Sequence, residues 1–135
     1  MADTHTPDSS QGSAHTVGQL YCYLTEGCNL ACRHCWLAPA FDPAGSRKPT
    51  LPVPLFEQAV AEAKPLGLHT VKLTGGEPLL HPRFSRLLDI VRREGLGLTI
   101  ETNGVLCTPA VAWEIARSPR RFVSVSLDGA DAETH

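Results

Sequence analysis

The clearest structural signal in the chain is HTVKLTGGEPLLHPRFSRLLDIVRREG, residues 69–95. It opens with His69–Thr74 (HTVKLT), whose β-branched and apolar side chains predict a strand. Four apolar residues then follow at the i, i+3, i+4, i+7 spacing of one helix face: Phe84, Leu87, Leu88 and Val91. Gly95 ends this helix. The stretch therefore predicts a strand, a turn and a helix in succession.

The same succession occurs before and after this unit. Further strands are predicted at residues 20–25 (LYCYLT), 96–102 (LGLTIET) and 121–127 (RFVSVSL). A first helix, ended by Gly67, is predicted from four residues at helical spacing: Leu55, Ala59, Ala63 and Leu66. Alternating strands and helices build a parallel sheet with right-handed crossovers. We therefore expect an α/β fold.

Two other segments complete this outline. Thr108 followed by Pro109 is typical of an N-cap with proline at the first helical position, and this third helix is predicted to run to about Arg117. Trp113 on this helix is expected in the core. Residues 39–54 are rich in Pro, Gly and Ser and are predicted to be a connection.

Conspicuous motifs coincide with the ends of all the predicted strands. A cysteine loop follows the first strand, GGEP (75–78) follows the second, ETNG (101–104) ends the third, and SLDG (126–129) ends the fourth. In parallel βα architectures the carboxyl ends of the strands form the active-site face. These motifs are therefore expected to form one site.

The cysteine loop, CNLACRHC at residues 28–35, brings three soft thiolate ligands into a short segment. Thiolates favour iron–sulfur clusters, zinc or copper over harder ions. Because a 4Fe–4S cluster usually takes four cysteines, three would leave one iron open for chemistry. The alternative is a structural zinc site in which His34 or His69 supplies a fourth ligand.

Composition limits the class of protein. The chain has 135 residues, 42% of them hydrophobic, and a formal net charge of −2, which suits one small domain without a nucleic-acid footprint. No apolar run is long enough to span a membrane. Its five cysteines, three of them clustered, are not typical of a disulfide framework and indicate a reducing cytoplasm. Residues 1–18 are predicted to be a disordered polar leader.

The cysteine loop, with His34 at the aromatic position before its last cysteine, resembles the signature of the radical S-adenosylmethionine (radical SAM) superfamily. GGEP, ETNG and SLDG match the same family in order and spacing. The resemblance implies a partial (β/α) TIM-like barrel with parallel strands. Residues 19–135 would be the N-terminal part of that core, truncated after the fourth strand. The SLDG-x-x-x-E-T-H ending resembles members that carry a C-terminal SPASM or twitch region.

The resemblance also implies cofactors, chemistry and partners. The cluster would reductively cleave S-adenosylmethionine (SAM) to a 5′-deoxyadenosyl radical that abstracts hydrogen from an unknown substrate, a peptide or a cofactor precursor. A flavodoxin or ferredoxin would supply the electron. The residues implied to bind the 4Fe–4S cluster are Cys28, Cys32 and Cys35. The residues implied to bind SAM are His34, Gly75, Gly76, Glu77, Thr102, Asn103, Ser126 and Asp128.

These residues have different implied roles. The His34 ring would lie near the adenine, while the backbone carbonyls at Gly75–Gly76, with Glu77 as a further contact, would bind the amino group of SAM. Ser126 would contact its methionine or ribose part, and Asp128 would face the substrate or brace the turn. No residue is assigned a separate catalytic role.

The sequence also leaves an alternative function open and predicts packing or solvated roles for several single residues. A non-catalytic zinc module or an inactive truncated remnant is the alternative function, and the short chain is expected to be poorly active alone. Cys22 and Cys107 are expected to pack as apolar residues, and Trp36 to shield the cluster loop. Solvated or capping roles are expected for His69 and His81.

Overall fold

The computed structural model describes residues 16–38, 40–44 and 48–134. In these ranges the strands are β1 (Gln19–Tyr23), β2 (Gly27–Cys28), β3 (Ala40–Phe41), β4 (Thr70–Thr74), β5 (Gly97–Thr102) and β6 (Arg121–Val125). The α-helices are α1 (Val53–Ala63), α2 (Phe84–Arg93) and α3 (Pro109–Ala116), and Lys64–Leu66 and Pro78–Leu80 form short 3₁₀ turns. Most of the predicted leader lies outside the described residues, so it stays a prediction.

The four longer strands form one sheet in the order β1-β4-β5-β6, and every neighbouring pair is parallel. The strand register aligns Tyr23 with Thr74 and Thr102 with Val125, so the carboxyl ends of the strands lie along one edge. Each crossover between these strands carries a helix. The predicted parallel α/β fold is confirmed.

The hydrophobic core lies between one face of this sheet and the helices. Val71 and Leu73 of β4 and Ile100 of β5 are fully buried. The predicted face of α2 is confirmed, because all its stripe residues are buried: Phe84, Leu87, Leu88 and Val91. No helix among the described residues has the length and apolar character needed to cross a membrane.

The buried face of α1 differs from the predicted one. Its core residues are Phe56, Val60 and Ala63, whereas Leu55 and Leu66 are more than half exposed. Phe56, Val60 and Ala63 also follow the i, i+4, i+7 spacing and place more apolar bulk on the sheet. The backbone changes to a 3₁₀ turn at Lys64, which removes Leu66 from that face.

The segment predicted to be a plain connection contains two elements. β3 pairs in parallel with β2, so that Cys28 lies opposite Phe41, and α1 begins at Val53. Pro52 occupies the N-cap position of α1 and Pro54 follows in the first turn, where proline is tolerated because the first N–H groups have no helical partner. The β2–β3 pair ties the cysteine loop to the segment that follows it.

The third helix confirms the predicted cap but not the predicted core residue. Thr108 Oγ1 accepts a hydrogen bond from the Val111 N–H at 3.3 Å. Trp113 is 70% exposed, so its predicted burial is wrong, and Ile115 is the residue of α3 that enters the core. Neighbouring β6 lies at the edge of the sheet and is exposed along its whole length, as expected for an open fourth strand.

Candidate functional site

A cavity of about 560 Å³ lies at the carboxyl ends of the strands. Ten of the residues predicted to bind cofactors line it: Cys28, Cys32, His34, Cys35, Gly75, Gly76, Thr102, Asn103, Ser126 and Asp128. A neighbouring cavity of about 640 Å³ shares Tyr23, Leu37, Gly75 and Gly76 with it, but its lining contains no cysteine. The first cavity is therefore the candidate site.

The two glycines of GGEP let the first strand and its loop approach the end of β4. A Cβ on Gly76 would lie 2.0 Å from the Gly27 carbonyl oxygen, and one on Gly75 would lie 2.7 Å from that of Thr25. Gly75 also has a φ of +134°, which side chains rarely adopt. Hydrogen bonds of 2.8 Å from Gly76 N–H to Thr25 O and 2.9 Å from Glu77 N–H to Gly27 O fix this contact. The pair thus has a structural role that sequence reasoning missed.

Glu77 is fully buried and does not line the cavity. Its Oε1 accepts hydrogen bonds from Thr102 Oγ1 at 2.7 Å and from the Leu79 N–H at 3.0 Å. Its Oε2 accepts one from the Asn103 N–H at 2.9 Å. The carboxylate therefore joins the end of β4 to the end of β5, and its position differs from that expected of a side chain that contacts SAM.

Cys28 is buried, and its sulfur receives polar contacts from two sides. The Leu30 N–H donates to Cys28 Sγ at 3.5 Å, and Asn103 Nδ2 donates to it at 3.8 Å. The same Asn103 amide donates to Asn29 Oδ1 at 2.9 Å. Burial raises the pKa of the Cys28 thiol, with smaller contributions in the same direction from Glu77, Cys32 and Cys35.

The three clustered thiols share the cavity without forming a single-ion site. Cys32 is exposed and Cys35 half-buried, while Cys28 is buried. Within the described ranges, no group of three or more His, Cys, Asp or Glu side chains is arranged to hold one metal ion. Three soft thiolates that line one cavity are the kind of donors that an iron–sulfur cluster takes, so the residues present fit that group.

The histidines considered as further zinc ligands lie in different places. His69 is exposed, precedes β4 and has its Nδ1 2.9 Å from Thr70 Oγ1, at the opposite end of the strand from GGEP. His34 lines the cavity, and its Nε2 lies 3.4 Å from Asp128 Oδ2. That contact connects the cysteine loop with the segment after β6. His69 is therefore too far along the strand to join the cysteines.

An ion pair on the floor of the cavity was not predicted. Lys72 Nζ contacts Glu101 Oε1 and lies 4.8 Å from the centre of the Tyr21 ring. Thr74 Oγ1 donates to Glu101 Oε2 at 3.2 Å. The pKa of Lys72 is raised, chiefly by its hydrogen bond to Glu101. The available signal was strand alternation, because Lys72 and Thr74 lie on one face of β4.

The predictions for four further residues can be compared with the structure, and not all of them are confirmed. Cys22 packs against the core as expected, and burial raises the pKa of its thiol to about 11. Cys107 is exposed, so its predicted packing is wrong. Trp36 lines the cavity although it is 80% exposed. His81 is buried and accepts from the Arg83 N–H at 3.1 Å, just before α2, which matches the capping role.

Comparison with known protein sequences supports one family. Residues 22–135 match the family model described as the radical SAM superfamily. GTP 3′,8-cyclase of Synechococcus sp. (strain CC9902) is 41% identical over an alignment that covers 98% of this chain and 37% of that protein. Mycofactocin maturase MftC of Mycobacterium tuberculosis (strain ATCC 25618 / H37Rv) is 36% identical, covering 83% of this chain and 28% of that protein. The chain thus spans well under half the length of both relatives.

Solved structures give the same result. Streptococcus suis SuiB bound to S-adenosylmethionine superposes with a TM-score of 0.75 at 26% identity, over 88% of this chain and 27% of that protein. SuiB bound to precursor peptide SuiA also gives a TM-score of 0.75, at 25% identity, over 88% of this chain and 26% of SuiB. The fold of this chain therefore matches about a quarter of the length of SuiB.

Proposed function

The chain belongs to the radical SAM superfamily, whose members use a 4Fe–4S cluster and S-adenosylmethionine, and we propose that it is the cluster-binding part of such an enzyme. In this proposal Cys28, Cys32 and Cys35 hold the cluster and leave one iron open to SAM. When bound there, the cluster would supply the electron for reductive cleavage of SAM to methionine and a 5′-deoxyadenosyl radical, and that radical would take a hydrogen atom from a substrate.

One observation carries this proposal. The three thiols line the same cavity at the strand ends, beside the backbone of Gly75 and Gly76. Three soft thiolates in one cavity are the donors that an iron–sulfur centre takes. The non-catalytic zinc module has less support: of the two histidines that could complete it, His69 lies at the other end of β4, and His34 Nε2 lies 3.4 Å from Asp128 Oδ2.

The rest of the cavity is proposed to hold SAM. The backbone at Gly75 and Gly76 borders the cavity beside the cysteine loop and would take the amino group of the methionine part. Thr102 and Ser126 follow along the strand ends, and Asn103 borders the cavity with its amide directed to the cysteine loop. His34, near Asp128, would lie against the adenine. The contact first expected of the Glu77 side chain is left out, because three protein donors already occupy its oxygens.

We propose a peptide rather than a nucleoside triphosphate as the substrate. Among relatives, the cyclase name specifies GTP, whereas SuiB was solved with a precursor peptide and AlbA of Bacillus subtilis serves subtilosin biosynthesis. A triphosphate needs several cationic groups around it. In the described part of the chain, Lys72 is the one lysine or arginine that lines the cavity, and Glu101 neutralises it. Asp128 adds a further negative charge.

The compartment and the electron source follow from the same chemistry. A cluster with one unprotected iron requires a reducing environment, so we propose that the enzyme works in the cytoplasm with a flavodoxin or ferredoxin as electron donor. The SPASM or twitch region concerns residues outside the given sequence and stays a prediction.

Anaerobic reconstitution with iron and sulfide tests the proposal on the full 135-residue chain. Bound iron and sulfide are then compared between the chain and the variants Cys28→Ala, Cys32→Ala and Cys35→Ala. We expect each of these to lose the cluster. Cys107→Ala, at an exposed cysteine away from the cavity, is the matched control and should keep the full amount. Equal iron in all variants, or zinc bound in place of iron, would contradict the proposal.

A further inference from the structure

The amide of Asn103 lies between the cysteine loop and the end of β5. Its Nδ2 is 3.8 Å from Cys28 Sγ and 2.9 Å from Asn29 Oδ1, so its N–H groups face the loop and not the open part of the cavity. Its Oδ1 is already used, because it accepts a hydrogen bond from the Val105 N–H at 3.0 Å. The orientation of this amide is thereby fixed at both of its polar ends.

The backbone of Asn103 is held as firmly as its side chain. Glu77 Oε2 accepts the Asn103 N–H at 2.9 Å, and Glu77 is fully buried. The other oxygen of Glu77 accepts from Thr102 Oγ1 at 2.7 Å. A buried carboxylate with charge-assisted hydrogen bonds is a rigid anchor, so the Asn103 backbone cannot move away from the cysteine loop without breaking this bond.

From this geometry we infer that Asn103 is a positioning residue that donates a hydrogen bond to the Cys28 sulfur and thereby raises the reduction potential of the cluster. The inference rests on the proposed function, since it requires Cys28 to be a cluster ligand. Reduction adds negative charge to the cluster and its thiolates. An N–H dipole aimed at a ligand sulfur stabilises that added charge and makes reduction easier, as hydrogen bonds to cluster sulfurs do in general.

The Leu30 N–H donates to the same sulfur at 3.5 Å, but it belongs to the backbone of the loop and no side-chain substitution removes it. Asn103 lies in the turn after β5, and its amide contacts the loop from outside the loop's own segment. It is therefore the donor to Cys28 that a point mutation can remove while the cysteine loop keeps its own sequence.

The test is a dye-mediated redox titration of the reconstituted full chain, without SAM, followed by low-temperature EPR. Asn103→Ser removes the amide donor but keeps an oxygen that can accept the Val105 N–H. We expect its midpoint potential to fall, so that severalfold less cluster is reduced at the potential that half-reduces the wild type. A tenfold change would correspond to about 59 mV for this one-electron couple. Gln58→Ala removes an exposed amide from α1 and should leave the potential unchanged.

Asn29→Ala separates donation to sulfur from simple support of the loop. It removes the oxygen that accepts from the Asn103 amide and that also lies 4.0 Å from Cys28 Sγ, so we expect its potential to equal or exceed that of the wild type. Equal potentials for Asn103→Ser and wild type would overturn the inference. It would also be overturned if Asn29→Ala lowered the potential as much as Asn103→Ser, or if Asn103→Ser alone lost its cluster. Failure of the wild type to form a cluster would instead overturn the proposed function.

Discussion

The carboxylate of Glu77 accepts the backbone N–H of Asn103 at 2.9 Å, which links the GGEP turn after β4 to the ETNG turn after β5. Glu77 is fully buried and accepts two further hydrogen bonds, from Leu79 and Thr102. A charged acceptor with three donors and no contact with the cavity is a structural element of the site. It places two motifs relative to each other.

Replacement of Glu77 tests this role. Glu77→Gln keeps the shape but turns one acceptor into a donor that faces another N–H or O–H group. We expect a loss of about 2–3 kcal/mol in the free energy of unfolding, since buried donors lose a charged acceptor. Urea denaturation measures it. Glu62→Gln, at an exposed residue of α1, should change stability by less than about 0.5 kcal/mol. Equal stability of both variants would contradict the structural role.

The tight contact at Gly76 leads to a second prediction. In Gly76→Ala the new Cβ would meet the Gly27 carbonyl oxygen at 2.0 Å, which is backbone and cannot rotate away. We expect the free energy of unfolding to fall by more than about 3 kcal/mol, or the variant not to fold. Gly95→Ala is the control, because its φ is +64° but nothing lies within 4 Å of the new Cβ. It should cost about 1–2 kcal/mol, from the left-handed backbone alone. A folded Gly76→Ala protein as stable as Gly95→Ala would contradict the close approach of Gly76 to the Gly27 carbonyl.

Thiol reactivity provides a third prediction. Burial raises the pKa of Cys22 to about 11, and a raised thiol pKa means less thiolate at any lower pH. Because the thiolate is the nucleophile, iodoacetamide at pH 8 should alkylate Cys22 at least about tenfold more slowly than exposed Cys107. Mass spectrometry of peptides measures both rates, and the urea-unfolded chain should lose the difference. Comparable rates in the folded chain would show that Cys22 is not shielded.

The ion pair on the cavity floor leads to a fourth prediction, about substrate charge. With Lys72 neutralised by Glu101, the chain should show no saturable binding of GTP at about 1 mM. Glu101→Gln frees one ammonium group, and because a triphosphate needs several cationic groups we still expect no saturable binding at that concentration. Isothermal titration calorimetry follows both. Glu57→Gln, which removes the partner of Arg93 far from the cavity, should behave as the wild type. Tight binding of GTP by the wild type would favour a nucleotide substrate.

The sequence predicted the order of the four longer strands and the three α-helices, but not the short β2 and β3, and it predicted most of the residues that gather at the strand ends. Strand alternation and the Phe84–Val91 stripe are local patterns. The stripe was predicted correctly because α2 has a single strongly apolar face. The motifs converged on one cavity because parallel strands place their carboxyl ends along the same edge. These features depend on periodicity and topology, which a sequence carries directly.

The features that could not be predicted depend on tertiary contacts. α1 has two candidate apolar faces, and only packing on the sheet selects Phe56 over Leu55. Trp113 is an apolar residue on a helix of which Ile115 alone is buried. The orientation of Glu77 is set by donors 25 and 26 residues away in the chain, Thr102 and Asn103. Lys72 and Glu101 likewise meet only after β4 and β5 pair.

In the proposed function, Cys28, Cys32 and Cys35 hold a cluster with one iron open to SAM. Low-temperature EPR of the anaerobically reconstituted and reduced chain, recorded with and without SAM, tests it most directly. We expect a cluster signal whose shape changes when SAM is added. A cluster signal indifferent to SAM would contradict the open iron, and a chain that binds zinc and gives no iron signal would contradict the cluster itself.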